Sequence, residues 1–128
     1  DMFGTGVASF GHINGVHIQN VDTWESYLEK LDAGELPIGR AFPTSPRHRL
    51  IREMILQLKT GRLHNDYFRQ KFAVEISEEF RAGYEQLQKE GWLTIRPDGI
   101  ELTPQGYLQV DRHLPTFFDP EYRSNRYT

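Results

Sequence analysis

The hydrophobic pattern of this chain is most regular in residues 77–114. Phe80, Tyr84 and Leu87 recur at intervals of four and three residues, which is the spacing of one helical face. The serine that begins this range can cap a helix, and Gly91 follows the last charged turn, where a left-handed residue is favoured. The pattern therefore predicts a helix that starts at the serine and ends before the glycine.

A β-hairpin is predicted directly after this helix. Leu93 and Ile95 alternate with polar residues, and Ile100 and Leu102 do so again a few positions later. The sequence Pro-Asp-Gly at 97–99 separates the two runs and favours a turn, because proline presets φ and glycine tolerates a positive φ. We expect two strands joined at this turn.

Two more helical patterns precede residue 77. Ser45 and Pro46 open a helix that Gly61 closes, and residues 63–72 form a shorter one with Asn65 as its candidate cap. The predicted buried face of the first of these helices is Leu50, Ile51, Met54, Ile55 and Leu58. Three helices followed by a hairpin have the connectivity of a winged helix.

The last helix is predicted to be capped by Thr103, to have Pro104 at its first position and to end before Pro115. The fold class predicted from these elements is mainly α with a small β-hairpin, in which a winged-helix-like domain follows a Gly-rich extension and one helix. The predicted divisions are residues 1–44, residues 45–118 and a tail at 119–128.

The single helix before that domain is predicted at residues 22–33. Asp22 with Glu25 three residues later forms a variant of the capping box. Its apolar stripe is Trp24, Leu28 and Leu31. Residues 36–45 contain two prolines and predict a linker or an extended crossing.

The Gly-rich extension, residues 1–20, shows weak periodicity. It holds four of the eleven glycines of the chain, which indicates backbone that turns sharply or approaches another group closely. Residues 7–10 could form a short strand. The sequence Gly-Thr-Gly-Val lacks the third glycine of the dinucleotide-binding fingerprint, and this excludes that motif.

Composition narrows the classes of function. With 128 residues, 38% of them hydrophobic, and a net charge of −3, the chain suits a folded domain without a basic field for nucleic acid or an anionic membrane. The absence of cysteine excludes disulfides, thiolate zinc sites and iron–sulfur ligation within the chain. No apolar run approaches the roughly 20 residues of a membrane helix. We expect neither a nucleic-acid nor a membrane partner, and a cytoplasmic location.

Two alternative functions stay open from the residues alone. A free-standing winged-helix regulator would bind DNA, but the predicted third helix carries four glutamates against one arginine and one lysine. This negative charge opposes binding to a polyanion, because phosphate neutralisation dominates the affinity of such complexes. A protein-interaction module is the other alternative.

No group of residues forms a complete active site by its spacing. The five histidines are His12, His17, His48, His64 and His113. None has the arrangement of a helical zinc pair, and His12 and His17 are predicted to be solvated or hydrogen-bonded loop residues. Arg123 and Arg126 in the tail could bind carboxylates.

Two ordered sets of residues resemble a known family. The first is Gly-Thr-Gly-Val-Ala-Ser-Phe-Gly-His at 4–12, followed by Gly15, by Gln19-Asn20, and by a helix that ends in the sequence Gly-Glu-Leu-Pro at 34–37. The second is Gly-Trp-Leu at 91–93 with Leu-Thr-Pro-Gln-Gly-Tyr-Leu at 102–108. In this order they resemble the C-terminal part of the oxygen-independent coproporphyrinogen III oxidase family of radical S-adenosylmethionine proteins.

The resemblance implies a full-length protein that binds a [4Fe–4S] cluster through a three-cysteine motif and cleaves S-adenosylmethionine to a radical. No cofactor is expected in this fragment, which would be non-catalytic alone. The implied partners are an N-terminal radical S-adenosylmethionine barrel of the same protein, whose mouth this chain would cover, and a tetrapyrrole. That substrate would be a porphyrinogen, whose propionates undergo oxidative decarboxylation, or haem.

The resemblance also implies which residues face the substrate and S-adenosylmethionine. They are Gly4, Gly6, Ser9, Phe10 and His12. Phe10 stands where a small or branched apolar residue is more usual in the family, so the identity of the substrate stays open.

Overall fold

An antiparallel sheet of three short strands forms in the first part of the computed structural model, which describes residues 1–120. The strands are β1 (Phe10–Ile13), β2 (Val16–Asn20) and β3 (Ile38–Pro43), and β2 lies between the other two. Helix α1 (Trp24–Asp32) lies between β2 and β3 in the chain. These elements belong to the first of two compact units, Asp1–Arg49, and the second unit starts at Leu50.

The β1–β2 hairpin is closed by a two-residue turn, Asn14-Gly15. Both residues have a positive φ, 46° for Asn14 and 77° for Gly15, and Ile13 pairs with Val16 on either side. A turn with two positive φ values matches the right-handed twist of the flanking strands, and Asn-Gly is its most favourable sequence. The turn therefore fixes the register of the whole hairpin.

The second unit contains the remaining elements and a second three-stranded sheet. They are α2 (Pro46–Leu58), β4 (Arg62–His64), α3 (Asn65–Phe72), α4 (Ile76–Glu79), α5 (Arg81–Lys89), β5 (Leu93–Arg96), β6 (Gly99–Leu102), α6 (Pro104–Leu108), α7 (Val110–His113) and a 3₁₀ turn (Leu114–Phe117), with α2 beginning in the first unit. In the sheet β6 lies between β4 and β5, and all neighbours are antiparallel.

The hydrophobic core lies in the second unit. Met54, Leu63, Phe68, Tyr84 and Ile100 are completely buried in it. The four buried residues of α2, which begin at Leu50 and recur along one face, confirm most of the predicted apolar face of that helix. Gly99 lies so close to the carbonyl of Leu63 that any side chain there would collide with it.

The predicted fold class is wrong in its β content. The structure is mixed α/β with two small sheets, whereas a mainly α fold with one hairpin was expected. The first sheet includes residues predicted as an irregular extension, and β1 begins at Phe10, where the predicted strand at residues 7–10 ends. Residues 36–45, predicted as a linker or an extended crossing, contain the extended strand β3. Residues 16–19 of β2 alternate apolar and polar, but the sequences of β1 and β3 do not, so periodicity alone does not reveal the sheet.

Several helix boundaries also differ from the predicted ones. Helix α1 is capped by Thr23, whose Oγ1 accepts a hydrogen bond from the amide of Ser26 at 3.3 Å, and not by Asp22. The helix predicted from Ser77 starts at Ile76 and is interrupted at Phe80, where φ is −118° and ψ is 25°. Phe80 is buried and contacts other aromatic rings of the core.

Of two other predicted helix caps, one is wrong and one is confirmed. Asn65 is not the cap of α3 but its first helical residue, buried, after His64 in the cap position. Thr103 does cap α6, since its Oγ1 accepts a hydrogen bond from the amide of Gly106 at 3.1 Å. The predicted last helix is broken at Gln109, and Pro115 lies within the 3₁₀ turn that follows α7.

Candidate functional site

One face of the first sheet brings together six polar and aromatic side chains. Alternate residues of a strand point to the same face, and the register aligns them in two rows across the sheet. The first row is Phe10, Gln19 and Arg40, and the second row is His12, His17 and Phe42. We call this surface the aromatic–histidine face.

The opposite face of the sheet is buried at its centre, while Ile13 and Ala41 on the same face are exposed. Gly11 and Ile18 pair across the strands there and are both buried. A side chain at Gly11 would crowd Ile18 Cγ1 at 2.9 Å and the Met2 carbonyl oxygen at 2.9 Å. The aromatic–histidine face is therefore the side of the sheet that remains partly open, and Phe10 and Phe42 are 43% and 49% exposed on it.

Ring contacts order the side chains on this face. Phe10 stacks on His17 with a centroid distance of 5.5 Å and an interplanar angle of 23°. Phe42 contacts the ring of His48, at the start of α2, with a centroid distance of 5.4 Å. His12 Nε2 lies 3.5 Å from Thr44 Oγ1. His12, His17 and His48 thus all lie beside this sheet, and two of them form a cross-strand pair.

The loop that precedes β1 is held from inside by Asn20. The Asn20 side chain is buried, and its amide nitrogen donates to the carbonyls of Gly4, at 3.1 Å, and Gly6, at 2.9 Å. The amide of Gly6 donates to the hydroxyl oxygen of Tyr27 at 3.0 Å. Ser9 Oγ donates to the carbonyl of Thr5 at 2.7 Å, and so closes a short turn within the loop.

The glycines of this loop serve internal packing. A Cβ at Gly4 would collide with the carbonyl of Phe10. Gly6 has a φ of 104°, which side chains of L-residues rarely adopt. The close backbone approach expected for these glycines occurs within the loop itself, and the Gly4 and Gly6 carbonyls are already bound by Asn20.

The five implied site residues lie in one continuous part of the first unit. Gly4, Gly6 and Ser9 form the loop, while Phe10 and His12 lie on β1 and belong to the aromatic–histidine face. Sequence reasoning did not associate His17, Arg40 or Phe42 with them. The Asn-Gly turn was the available signal, because it fixes the hairpin and hence the pairing of His12 with His17.

The arrangement offers flat apolar surface next to groups that can bind anions. Two phenylalanine rings can contact a planar ligand, and an arginine guanidinium can bind a carboxylate through two parallel hydrogen bonds. A metal ion has no comparable site, since residues 1–120 contain no group of three histidine, cysteine, aspartate or glutamate side chains placed to hold one. The tail arginines Arg123 and Arg126 lie outside the described residues.

A second polar cluster lies on the second unit. Glu53 accepts hydrogen bonds from Tyr67 Oη at 2.5 Å and from Lys71 Nζ at 2.7 Å. Burial alone would raise the pKa of Glu53, but the hydrogen bonds and the charge of Lys71 outweigh burial and lower it. The ammonium of Lys71 also lies 5.3 Å from the centroid of the Tyr67 ring. The cluster is fully paired and so acts as a surface clamp between α2 and α3.

The fold is mixed α/β with two small antiparallel sheets, and the first sheet carries the aromatic–histidine face. Comparison with known proteins places it more closely. Residues 44–108, about half of the chain, match the HemN C-terminal domain family. The chain belongs to that family.

The chain is also similar to three named enzymes along most of its length. It is 31% identical over 125 residues to an oxygen-independent coproporphyrinogen III oxidase of Helicobacter pylori, and 29% identical over 132 residues to one of Synechocystis. Its fold is similar to that of coproporphyrinogen III oxidase (HemN) of Escherichia coli, a radical SAM enzyme, with a TM-score of 0.70 over 89% of this chain at 20% identity.

The match covers a limited part of these relatives. The chain spans 27% of the length of each of them, while 93–94% of its own length is covered in the two sequence matches. None of the helices in residues 1–120 has the length and apolar character needed to cross a membrane.

Proposed function

We propose that this chain is the C-terminal part of a radical S-adenosylmethionine enzyme of the oxygen-independent coproporphyrinogen III oxidase type. In this proposal it covers the active site of a preceding barrel domain, and the full-length protein acts on a porphyrinogen or haem-type tetrapyrrole. The observation that carries the proposal is the similarity to the Helicobacter pylori oxidase over 94% of this chain. The fold shared with the Escherichia coli enzyme supports it.

The iron–sulfur cluster of such an enzyme does not fit the residues of this chain. A [4Fe–4S] cluster is held by cysteine thiolates, and the chain contains no cysteine. Its ligands would therefore belong to the preceding domain of the full-length protein. We assign this chain no step that runs through the cluster.

The part of the chain that would meet the substrate and S-adenosylmethionine is the loop with the face beside it. Gly4, Gly6 and Ser9 would shape the backbone there, while Phe10 and His12 would contact the ligand. A tetrapyrrole presents a broad apolar ring and charged propionates. Phe10 suits the ring, and Arg40, in the same cross-strand row, suits a propionate.

Two finer statements belong to the same proposal. The second unit would be a winged-helix-like domain, which is supported by the order α2, β4, α3, α4, α5, β5, β6 and by the β5–β6 hairpin. The location would be cytoplasmic, as in the sequence-based expectation. The stretch 76–90, which includes α4 and α5, carries four glutamates against Arg81 and Lys89, and Arg81 is paired with Glu78. This negative charge speaks against DNA as the ligand of this domain.

The test uses the full-length protein with its cluster reconstituted under anaerobic conditions. Supplied with S-adenosylmethionine, a one-electron reductant and an electron acceptor, it should convert coproporphyrinogen III with loss of carboxyl groups as CO₂, measured by chromatography of the porphyrin products. Deletion of residues 45–128 should abolish turnover while the iron content stays unchanged. A protein that binds haem but never decarboxylates the porphyrinogen would leave haem as the substrate, and a protein that binds neither tetrapyrrole would contradict the proposed function. Unchanged turnover after the deletion would contradict the covering role.

The role of the face has its own test in the same assay. Arg40→Gln should raise the KM for the porphyrinogen by about tenfold or more, because a hydrogen bond to a charged group contributes roughly 1.5–3 kcal/mol. Lys30→Gln, which removes a cation on the neighbouring helix, should leave KM unchanged. Gly6→Val should weaken tetrapyrrole binding because it adds bulk at a residue with positive φ. Equal KM values for both charge variants would remove Arg40 from the site.

A further inference from the structure

Helix α1 carries its apolar residues on the side that the chain leaves uncovered. Trp24, Leu28 and Leu31 lie within about 60° of each other around the helix axis. They are 60%, 40% and 46% exposed, and α1 has no buried residue at all. The half-buried residues of the helix include Ser26 and Tyr27, and Tyr27 accepts the hydrogen bond from the Gly6 amide.

This orientation reverses that of an ordinary surface helix. A helix that only packs on its own domain turns its apolar stripe inward and its charged residues outward. Here the inner side is formed by short polar and amphipathic residues, while the stripe faces outward. Single exposed hydrophobic residues need no explanation, but a contiguous apolar stripe on one helix indicates a contact surface.

The charges beside the stripe define the chemistry of the surface that fits it. Glu25, Glu29 and Asp32 follow one another along one flank of the stripe. The helix carries a single cation, Lys30, whose ammonium is already paired with Glu35 at 3.4 Å. A complementary surface is therefore apolar at its centre and basic along one side.

We infer that the Trp24–Leu28–Leu31 stripe docks onto the preceding domain of the same polypeptide, on an apolar patch bordered by basic residues. The inference rests on the proposed function, because it requires the full-length protein. The relatives are nearly four times as long as this chain, which covers 27% of each of them, so a large preceding body is available in proteins of this type. The stripe makes α1 the joint through which the loop and the aromatic–histidine face keep their position relative to that body.

Hydroxyl-radical footprinting of the full-length protein, read by mass spectrometry, tests the contact. Oxidation of Trp24, Leu28 and Leu31 is normalised to the same residues in the urea-unfolded protein. Two leucines of the second unit calibrate the scale, Leu87, which is 2% exposed, and Leu108, which is 85% exposed. We expect Leu28 and Leu31 to fall to the level of Leu87. Oxidation at the level expected from their exposure in this chain would overturn the inference.

Two further arms decide between occupants of the stripe. Protection that disappears when the protein is diluted to a monomer would identify a second copy as the occupant and overturn the inference. Protection that disappears when residues 121–128 are deleted would identify the tail and overturn it equally. Protection that survives both treatments supports docking within one polypeptide.

A charge substitution adds a positive control. Leu28→Glu should restore oxidation of Trp24 in the full-length protein, while Leu108→Glu should leave it protected. If Leu28→Glu prevents folding, the wild-type footprint still decides the question. The results distinguish failure of the docking from failure of the proposed function. An exposed stripe in a protein that decarboxylates the porphyrinogen rejects only the docking. A protected stripe in a protein without this activity rejects only the proposed activity.

Discussion

Replacing Asn20 by alanine should loosen the loop at residues 4–9 without changing the strands that follow it. The Asn20 amide donates to two carbonyls, those of Gly4 and Gly6, and the side chain is 4% exposed. Asn20 itself stays anchored in β2 by its backbone, since its backbone N–H donates to the carbonyl of Ser9 at 2.9 Å. The substitution therefore removes the side-chain hydrogen bonds and little else.

The size of the effect follows from those two bonds. Each intramolecular hydrogen bond contributes about 0.5–1.5 kcal/mol net, so their joint loss costs about 2 kcal/mol. Water can reach the half-buried carbonyls of Gly4 and Gly6, which keeps the cost from rising further. Since about 1.4 kcal/mol corresponds to a factor of ten in an equilibrium constant, opening of the loop should become roughly 30-fold more frequent.

Native-state hydrogen exchange measures this opening. The reporter is the amide of Ala8, which donates to the carbonyl of Val21 at 2.8 Å inside the loop region. Asn20→Asp is the matched variant, because it keeps the shape but offers no donor, and its carboxylate would repel both carbonyls. We expect Asn20→Asp to exchange at least as fast as Asn20→Ala. Exchange at Ala8 within twofold of wild type in both variants would refute the role given to the amide.

Three other changes test separate parts of the structure by chemical denaturation. Gly4→Ala should destabilise the first unit by about 1–3 kcal/mol, because the added Cβ would collide with the Phe10 carbonyl. In the control Gly34→Ala the added Cβ meets no atom within 4 Å, so the substitution should cost only the roughly 1 kcal/mol of the positive φ. Equal losses of stability in the two variants would contradict the collision. Burial raises the pKa of Tyr84, and its hydroxyl has no hydrogen-bond partner within the described residues. Tyr84→Phe should therefore leave the free energy of unfolding unchanged or raise it by up to about 1 kcal/mol. A decrease of more than about 1 kcal/mol would show that the hydroxyl does have a partner. The pKa of Glu53 is lowered from 4.5, so the contribution of its carboxylate to stability is complete above pH 4.5 and is lost as the pH falls through the folded pKa. Glu53→Gln should reduce the free energy of unfolding by under about 1 kcal/mol at neutral pH and should match the wild type in acid. A constant difference between the two proteins at all pH values would contradict this linkage.

The second unit could be predicted from the sequence because its signals are local. The apolar face of α2, the turn between β5 and β6 and the cap at Thr103 each depend on residues within a few positions of one another. Strand β4 was missed because it has three residues, of which only Leu63 is buried, and such a run contains no measurable alternation. Its existence depends on pairing with β6, about 36 residues later in the chain.

The first unit was less predictable because its order depends on pairing and on polar groups. The face that joins His12 to His17 exists only through the hairpin register, and Arg40 reaches it only through the later strand β3. Gln19-Asn20 belongs to the residues that resemble the family, but the sequence does not show that the Asn20 side chain binds the loop, since a buried asparagine in a strand is recognised by what it binds. The resemblance to the family implied a site within residues 4–12, but it could not supply this geometry.

The two units differ in what holds them together, and this difference bears on function. The second unit has a core of fourteen buried hydrophobic residues. In residues 1–49 the buried apolar side chains are those of Ile18 and Pro37. Backbone pairing and the Asn20 hydrogen bonds order the first unit, while its larger apolar side chains on α1 point outward. A segment of this kind orders its backbone locally and completes its hydrophobic burial against another body. The loop implied to face the substrate thus belongs to the unit that depends most on its surroundings, so the position of that loop would be set by the domain onto which α1 docks.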